Sequence, residues 1–262
     1  MFIRQTFIGR ALSQIAVLLS IVLVALPLVM IGWQSLQGQG GLNYLVVLTG
    51  TPFVTFIGNS LVIAVATVAI VLVCSLAGAF AIELLRPRGS RLMLALLLGG
   101  LTLPAVALIA PLFTIIQSLQ LDNTHWAVIL PQAAIALPFG VLLCSNYIRG
   151  LPIEVWEAAR IDGAGTVRFF VSILVPLARP ILFVIAVFTF LGAWNEYVLP
   201  LLFLQAPDLR VATQVPTYFA SERRMDLPKI FAANILISIP VVVLYLLTQS
   251  QFRRGLSGGA VK

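Results

Sequence analysis

Few residues in this chain are equipped for chemistry. Its 262 residues include nine carboxylates, one histidine and two cysteines. His125 stands three residues after Asp122, a spacing that could begin a metal site or an acid–base pair, but no third ligand follows in that turn. Cys74 and Cys144 are far apart and form no C-x-x-C pair, so they read as small apolar fillers. Gly163-Ala-Gly165 lacks the third glycine and the preceding strand of a dinucleotide fingerprint. No Gly-Lys-Ser or Gly-Lys-Thr occurs either, so the sequence offers no P-loop for ATP. No catalytic residue, metal ligand set or cofactor site emerges. One acid stands out: Glu196 lies beside Trp194, Asn195 and Tyr197 inside an apolar stretch. An acid at membrane depth is costly and faces a cavity or a partner. Trp194, Asn195 and Glu196 therefore either line a solute pathway, or Glu196 ties its helix to a neighbour.

The elements that must position these residues are membrane helices. The chain is 60% hydrophobic and 10% charged, with a mean hydropathy of +1.07. A water-soluble domain carries roughly a quarter charged residues, so lipid has to replace the missing polar surface. No charged residue falls between Arg10 and Glu83, Arg91 and Asp122, Asp122 and Arg149, or Lys229 and Arg253. These gaps predict an all-α polytopic membrane protein with six transmembrane helices at about 12–33, 59–83, 92–118, 127–147, 180–204 and 230–250. The whole of 1–262 reads as one transmembrane domain. Its basic N-terminal flank precedes an apolar stretch too long for a signal peptide, so the first span is expected to remain uncleaved. Residues 34–58 read as an uncharged, Gly-rich loop, and 148–179 and 205–229 as longer polar segments.

The net charge of +7 could suggest nucleic acid, but the basic residues flank apolar runs rather than forming a stripe. Twelve of the sixteen lie on one side of the predicted topology: Arg4 and Arg10, the loops after spans 2 and 4, and the tail from Arg253 to Lys262. Arg210, Arg223, Arg224 and Lys229 lie on the other. Both termini are thus expected in the cytoplasm.

The segment from Leu151 to Gly163 reads as a helix outside the membrane. Pro152 fits its first turn, Glu154 and Glu157 favour its positive end, and Gly163 fits a left-handed position that stops it. Ala158 and Ala159 give it a low face that another protein could approach. Thr166 is expected to cap a second helix carrying Phe169, Phe170 and Ile173, which Pro176 would end. Such an elbow between two spans transmits movement, or else lies on lipid as an amphipathic loop.

Glu157-Ala158-Ala159, three residues, Gly163, nine residues and then Ile173-Leu174-Val175-Pro176 resembles the EAA loop of permeases from binding-protein-dependent ABC importers, with Val175 where leucine is usual. Gly58-Asn-Ser-Leu61, Leu137-Pro-Phe-Gly140, Gly192-Ala-Trp-Asn-Glu-Tyr197, Pro200-Leu-Leu-Phe203 and the tail from Gly255 to Lys262 are similar to the carbohydrate branch, of the maltose-permease G-like type. The resemblance implies a type I importer permease fold, with 148–179 as a cytoplasmic coupling loop. Glu157, Ala158, Ala159, Asp162 and Gly163 would then meet an ATPase. It implies a second homologous permease chain, two cytoplasmic ABC ATPases that hold ATP and Mg, and an extracytoplasmic solute-binding protein touched by the loop carrying Tyr218 and Phe219. Multi-pass residence in a bacterial inner membrane, in contact with lipid, and import of a sugar or polyol follow. A proton-coupled secondary transporter using Glu196 would leave the EAA spacing unexplained; within the importer class the alternative is a permease for another solute class, an amino acid or an ion. A membrane enzyme would need a convergent cluster that the sequence lacks.

Overall fold

The computed structural model describes residues 7–221 and 224–258, so Arg4, Arg223 and Lys262 of the charge count lie outside the described residues. Helices α1 (Phe7–Ser35) and α2 (Leu42–Gly50) precede the long α3 (Phe53–Phe80), which runs into a π turn at Ala81–Leu85. Next come α4 (Ser90–Gly100), α5 (Ile109–Ser118) and α6 (Trp126–Arg149). The elbow holds α7 (Ile153–Ile161), α8 (Thr166–Phe169), a second π turn at Phe170–Leu174 and α9 (Val175–Leu177). Helices α10 (Arg179–Asn195) and α11 (Val198–Phe203) lead through 3-10 turns to the two-residue strands β1 (Ala220–Ser221) and β2 (Arg224–Met225), then to α12 (Leu227–Gly258).

Among the described residues, four segments are long and apolar enough to cross a membrane: Ser13–Ser35, Phe53–Leu85, Trp126–Arg149 and Leu227–Gln249. Two bent pairs, Ser90–Gly100 with Ala105–Ser118 and Thr166–Leu177 with Arg179–Asn195, raise the number to six if each pair is one span. The predicted span 92–118 is therefore not a single rod. It bends by 102° between α4 and α5. Gly99 and Gly100 weaken the end of α4, and Pro104, which has no N–H to give, is extended at ψ 129. The predicted span 180–204 is also interrupted, because Glu196 leaves the helix with φ −68 and ψ 129. Pro200 then sits in the first turn of α11, where a missing N–H costs nothing.

The segment predicted as a Gly-rich loop is largely helical. Only the turn before α2 uses its glycines, Gly38 and Gly40 at φ 70 and 63. Leu42, Leu45, Val46 and Val47 follow at helical spacing, a signal the glycine count obscures. The polar segment 205–229 likewise carries 3-10 turns and a small antiparallel pairing of Ala220 with Met225.

The chain forms two compact units. The first takes residues 1–53 and 215–242. Its buried anchor is Asn43, whose amide donates to the Ser35 and Gln37 carbonyls at 2.9 and 2.7 Å, beside a Ser35–Tyr44 hydroxyl contact of 2.7 Å. At the start of α12, Lys229 pairs with Asp226 at 2.6 Å.

The second unit takes residues 54–214 and 243–262. Its post is α6, the most buried of the long helices. Gly140 lets α3 approach it closely: a Cβ there would collide with the Ser75 hydroxyl and stand 3.0 Å from the Ser75 Cβ. One apolar cluster gathers Ile63, Val128, Ile129, Phe203 and Val211, and another lies under the elbow. The first cluster is tied by two asparagines. Asn59 donates to the Asp208 and Arg210 carbonyls, both at 2.8 Å. Asn123 accepts from the Gln205 and Ala206 amides at 2.7 and 2.9 Å.

Candidate functional site

Two places bring predicted residues together, the elbow and a cavity among the spans. Pro152 precedes α7 in an extended conformation, and Glu154 occupies its first turn. At the other end Gly163 adopts φ 76. Its N–H donates to the Arg160 carbonyl at 3.1 Å, and the Ala164 N–H reaches back to the Ala159 carbonyl at 2.9 Å. These are the paired 5→2 and 6→1 bonds of a glycine C-cap, and they stop the helix sharply.

An aromatic cluster fixes the elbow from beneath. Trp156 meets Phe169 edge-on at 4.6 Å, and Phe80 at the end of α3 contacts Trp156, Phe169 and Phe170 at 5.8, 6.0 and 5.4 Å. Arg149 at the end of α6 pairs with Glu83 in the π turn after α3 at 2.8 Å, joining the two spans beside the elbow.

The structure corrects three expectations here. Ala159 is buried at 6% exposure, packed into this cluster, so it belongs to the inner face of α7 and is not a low outer face. Ala158, Glu157 and Asp162 are exposed, as predicted residues of an outer face should be. Thr166 does not cap α8: Gly165 holds that position and no side chain bonds across it. Pro176 does not end the second helix, because it stands in the first turn of α9 directly after the π turn, and the chain turns only at Ala178. Outside the cluster, Ile161 is 86% and Val167 76% exposed, two apolar side chains with no cover in the described residues.

One cavity of about 350 Å³ lies under the elbow, and a second of about 330 Å³ lies between α3, α6 and α10. Glu196 lines the second. Its Oε1 accepts the Val198 and Leu199 N–H groups at 2.8 and 3.2 Å, so the carboxylate caps α11. Trp194 does not line this cavity; it is buried and stacks on Phe190 at 5.7 Å. Asn195 does not line it either, and its amide donates to the Leu191 carbonyl at 2.9 Å. Trp194 and Asn195 end α10 on faces turned from the cavity, and only Glu196, past the helix break, reaches it. The cavity is instead lined by Thr67, Gln132, Phe139, Phe188 and Thr189, which sequence reasoning missed. A polar side chain in each apolar run was the available signal.

Tyr218 is exposed and Phe219 half-buried at the end of a 3-10 turn in the first unit. His125 is half-buried before α6, and the described residues hold no cluster of three or more metal-ligating side chains.

Residues 75–257, which include the whole elbow and the Glu196 break, match the family described as the inner membrane component of binding-protein-dependent transport systems. The chain belongs to that family. The diacetylchitobiose uptake system permease protein NgcG of Streptomyces coelicolor is 31% identical to this permease over 96% of its chain and 89% of NgcG. The trehalose transport system permease protein SugB of Mycobacterium tuberculosis is 32% identical over 84% of this permease and 81% of SugB. A chain in the crystal structure of a bacterial ABC transporter for import of the acidic polysaccharide alginate superposes with a TM-score of 0.82, covering 95% of this permease and 98% of that chain. At 21% identity this likeness speaks to the fold. Two sequence matches now have physical roles in the permease: Asn59 of Gly58-Asn-Ser-Leu61 ties down residues 208–210, and Gly140 of Leu137-Pro-Phe-Gly140 admits α3.

Proposed function

We propose that this inner-membrane permease is one membrane subunit of an ATP-driven importer. It passes a sugar or sugar-like polyol, delivered by an extracytoplasmic solute-binding protein, into the cytoplasm. The uptake of diacetylchitobiose and trehalose named for two relatives supports the solute class. The chain works as a single domain of six spans with both termini cytoplasmic, an arrangement favoured by the basic residues at its loops and ends. A second homologous permease and two cytoplasmic ATPases complete the assembly. ATP and Mg bind on those ATPases, and this chain holds no cofactor and catalyses nothing. Tyr218 and Phe219 face the binding protein.

The observation that carries this reading is the construction of the elbow. A glycine-capped helix braced on Phe80, Trp156 and Phe169 is packed as one body with the ends of α3 and α6. Its exposed side presents Glu157, Ala158, Asp162 and the uncovered Ile161 and Val167. A stiff lever whose exposed side combines two carboxylates with uncovered apolar side chains suits a protein that pushes on it. Gly163 fixes its end, and Ala159 serves it from within.

Two substitutions at adjacent positions test the coupling role. Ala158→Trp adds bulk outside the elbow, so the permease should insert and fold normally while the ATPases fail to co-purify or hydrolyse ATP without solute uptake. Ala159→Trp adds the same bulk inside and should reduce the amount of folded permease, by overpacking on the order of 1–3 kcal/mol. Wild-type uptake and ATPase association in Ala158→Trp would sink the coupling assignment.

A further inference from the structure

We propose that the cavity between α3, α6 and α10 is a solute subsite within this permease, built to hold one hydroxylated ring of the transported sugar or polyol. The proposal rests on the importer reading above and gives that reading a place inside the chain.

Gln132 carries most of the argument. It is 8% exposed, and its Oε1 accepts only a long, 3.5 Å hydrogen bond from the Thr67 hydroxyl. Its Nε2 is buried without a partner, although the residue stands in the cavity wall. A buried amide donor left unmade is unfavourable, and because only the long Thr67 bond holds the amide, a turn of the Gln132 side chain would bring Nε2 to a solute hydroxyl in the cavity that supplies the missing acceptor. Thr189, also 8% exposed, brings a hydroxyl to the same wall. Glu196 adds a carboxylate whose Oε1 is committed to the Val198 and Leu199 amides, which holds the group in place. Its second oxygen can then accept from a hydroxyl. Phe139 and Phe188 meet edge-on at 6.0 Å and give the cavity an aromatic wall for the apolar face of a ring.

The backbone points the same way. Both broken spans deliver their irregular stretches to this cavity, through Ala105 after the bend that follows α4 and through Glu196 between α10 and α11. Non-helical backbone is tolerated at membrane depth where it lines a cavity, and solute sites of transporters are commonly built from such discontinuous helices. The volume of about 330 Å³ stands at the small end for ligand pockets, suited to a single ring at a time. Among the described residues no lysine or arginine lines it, so these offer no counter-charge for an anion. Amide, hydroxyls, one oriented carboxylate and an aromatic wall together suit a neutral polyhydroxylated solute.

The test uses the whole transporter in cells, offered trehalose, melibiose and diacetylchitobiose as labelled solutes. Assembled complex is counted in the membrane, and its melting temperature is measured for wild type, Gln132→Leu and Thr189→Val. Uptake per assembled complex of an imported sugar is expected to fall about tenfold in Gln132→Leu, a loss of roughly 1.4 kcal/mol. ATP hydrolysis stimulated by the loaded binding protein should persist in that variant. Unchanged uptake per complex, whether or not melting drops, would overturn the subsite and leave the importer reading in place; Gln132 would then be a helix tie. Should Gln132→Leu not assemble, Thr189→Val decides by the same comparison. A wild-type transporter that imports none of these three, nor any of a panel of labelled monosaccharides, oligosaccharides and polyols, overturns the solute class itself, an outcome separate from a variant that imports as well as wild type.

Discussion

Gly163 is where one side chain should matter most to the elbow. A Cβ there meets nothing within 4 Å, so any effect of substitution comes from the backbone at φ 76 and not from crowding. Left-handed geometry is unfavourable by about 1–2 kcal/mol for an ordinary L-residue and more for a β-branched one. Gly163→Val should therefore misdirect α7 and uncouple ATP hydrolysis from uptake, while Gly163→Asn, which tolerates this conformation, should retain both. Equal behaviour of the two variants in a coupled transport and hydrolysis assay would count against this account. At this scale the sequence was legible where chemistry is unambiguous. A glycine ending a short charged helix has few other uses. The faces of Ala158 and Ala159 were not legible, because adjacent helical residues point about 100° apart and only Trp156 and Phe169 reveal which one turns inward.

At the scale of elements, Glu196 is the hinge between two helices. Removing its cap with Glu196→Ala should lower the thermal stability of the permease by on the order of 1 kcal/mol. Glu196→Gln keeps a carbonyl oxygen for the Val198 and Leu199 amides, so melting close to wild type is expected. A thermal scan of the purified complex separates them, and equal losses in both would show that charge, not capping, is what the position supplies. The break itself was hidden in the sequence. Prolines mark the spans freely, yet Pro27, Pro131, Pro138 and Pro240 lie inside continuous helices while Pro104 stands at a sharp bend. A proline says that a carbonyl is released; neighbours in space decide whether the helix bends or stops. The same holds for Gln132, whose hydrogen-bond partner comes from α3 and whose cavity neighbours come from α10, with no trace of either in its own segment.

For the whole molecule, the distribution of basic residues makes an orientation testable. Single cysteines at Gly89 and Gly165 should react only after the membrane is made permeable, and those at Asp122 and Ala220 in intact cells, read with an impermeant thiol reagent. Labelling of Gly165 in intact cells would invert the topology and remove the coupling role with it. Hydropathy alone located the apolar runs, since lipid imposes length and polarity on every crossing. It could not distinguish a straight crossing from a bent pair such as α4 with α5, where the same apolar content turns through 102°. Two π turns, at Ala81–Leu85 and Phe170–Leu174, flank the aromatic cluster. A π turn holds one residue more than the helix it interrupts, so each works as a spacer that sets angular phase. Deleting a single residue such as Ser172 would restore regular winding locally, yet swing everything beyond it by about 100°, and the elbow would then be aimed away from the span it is meant to drive.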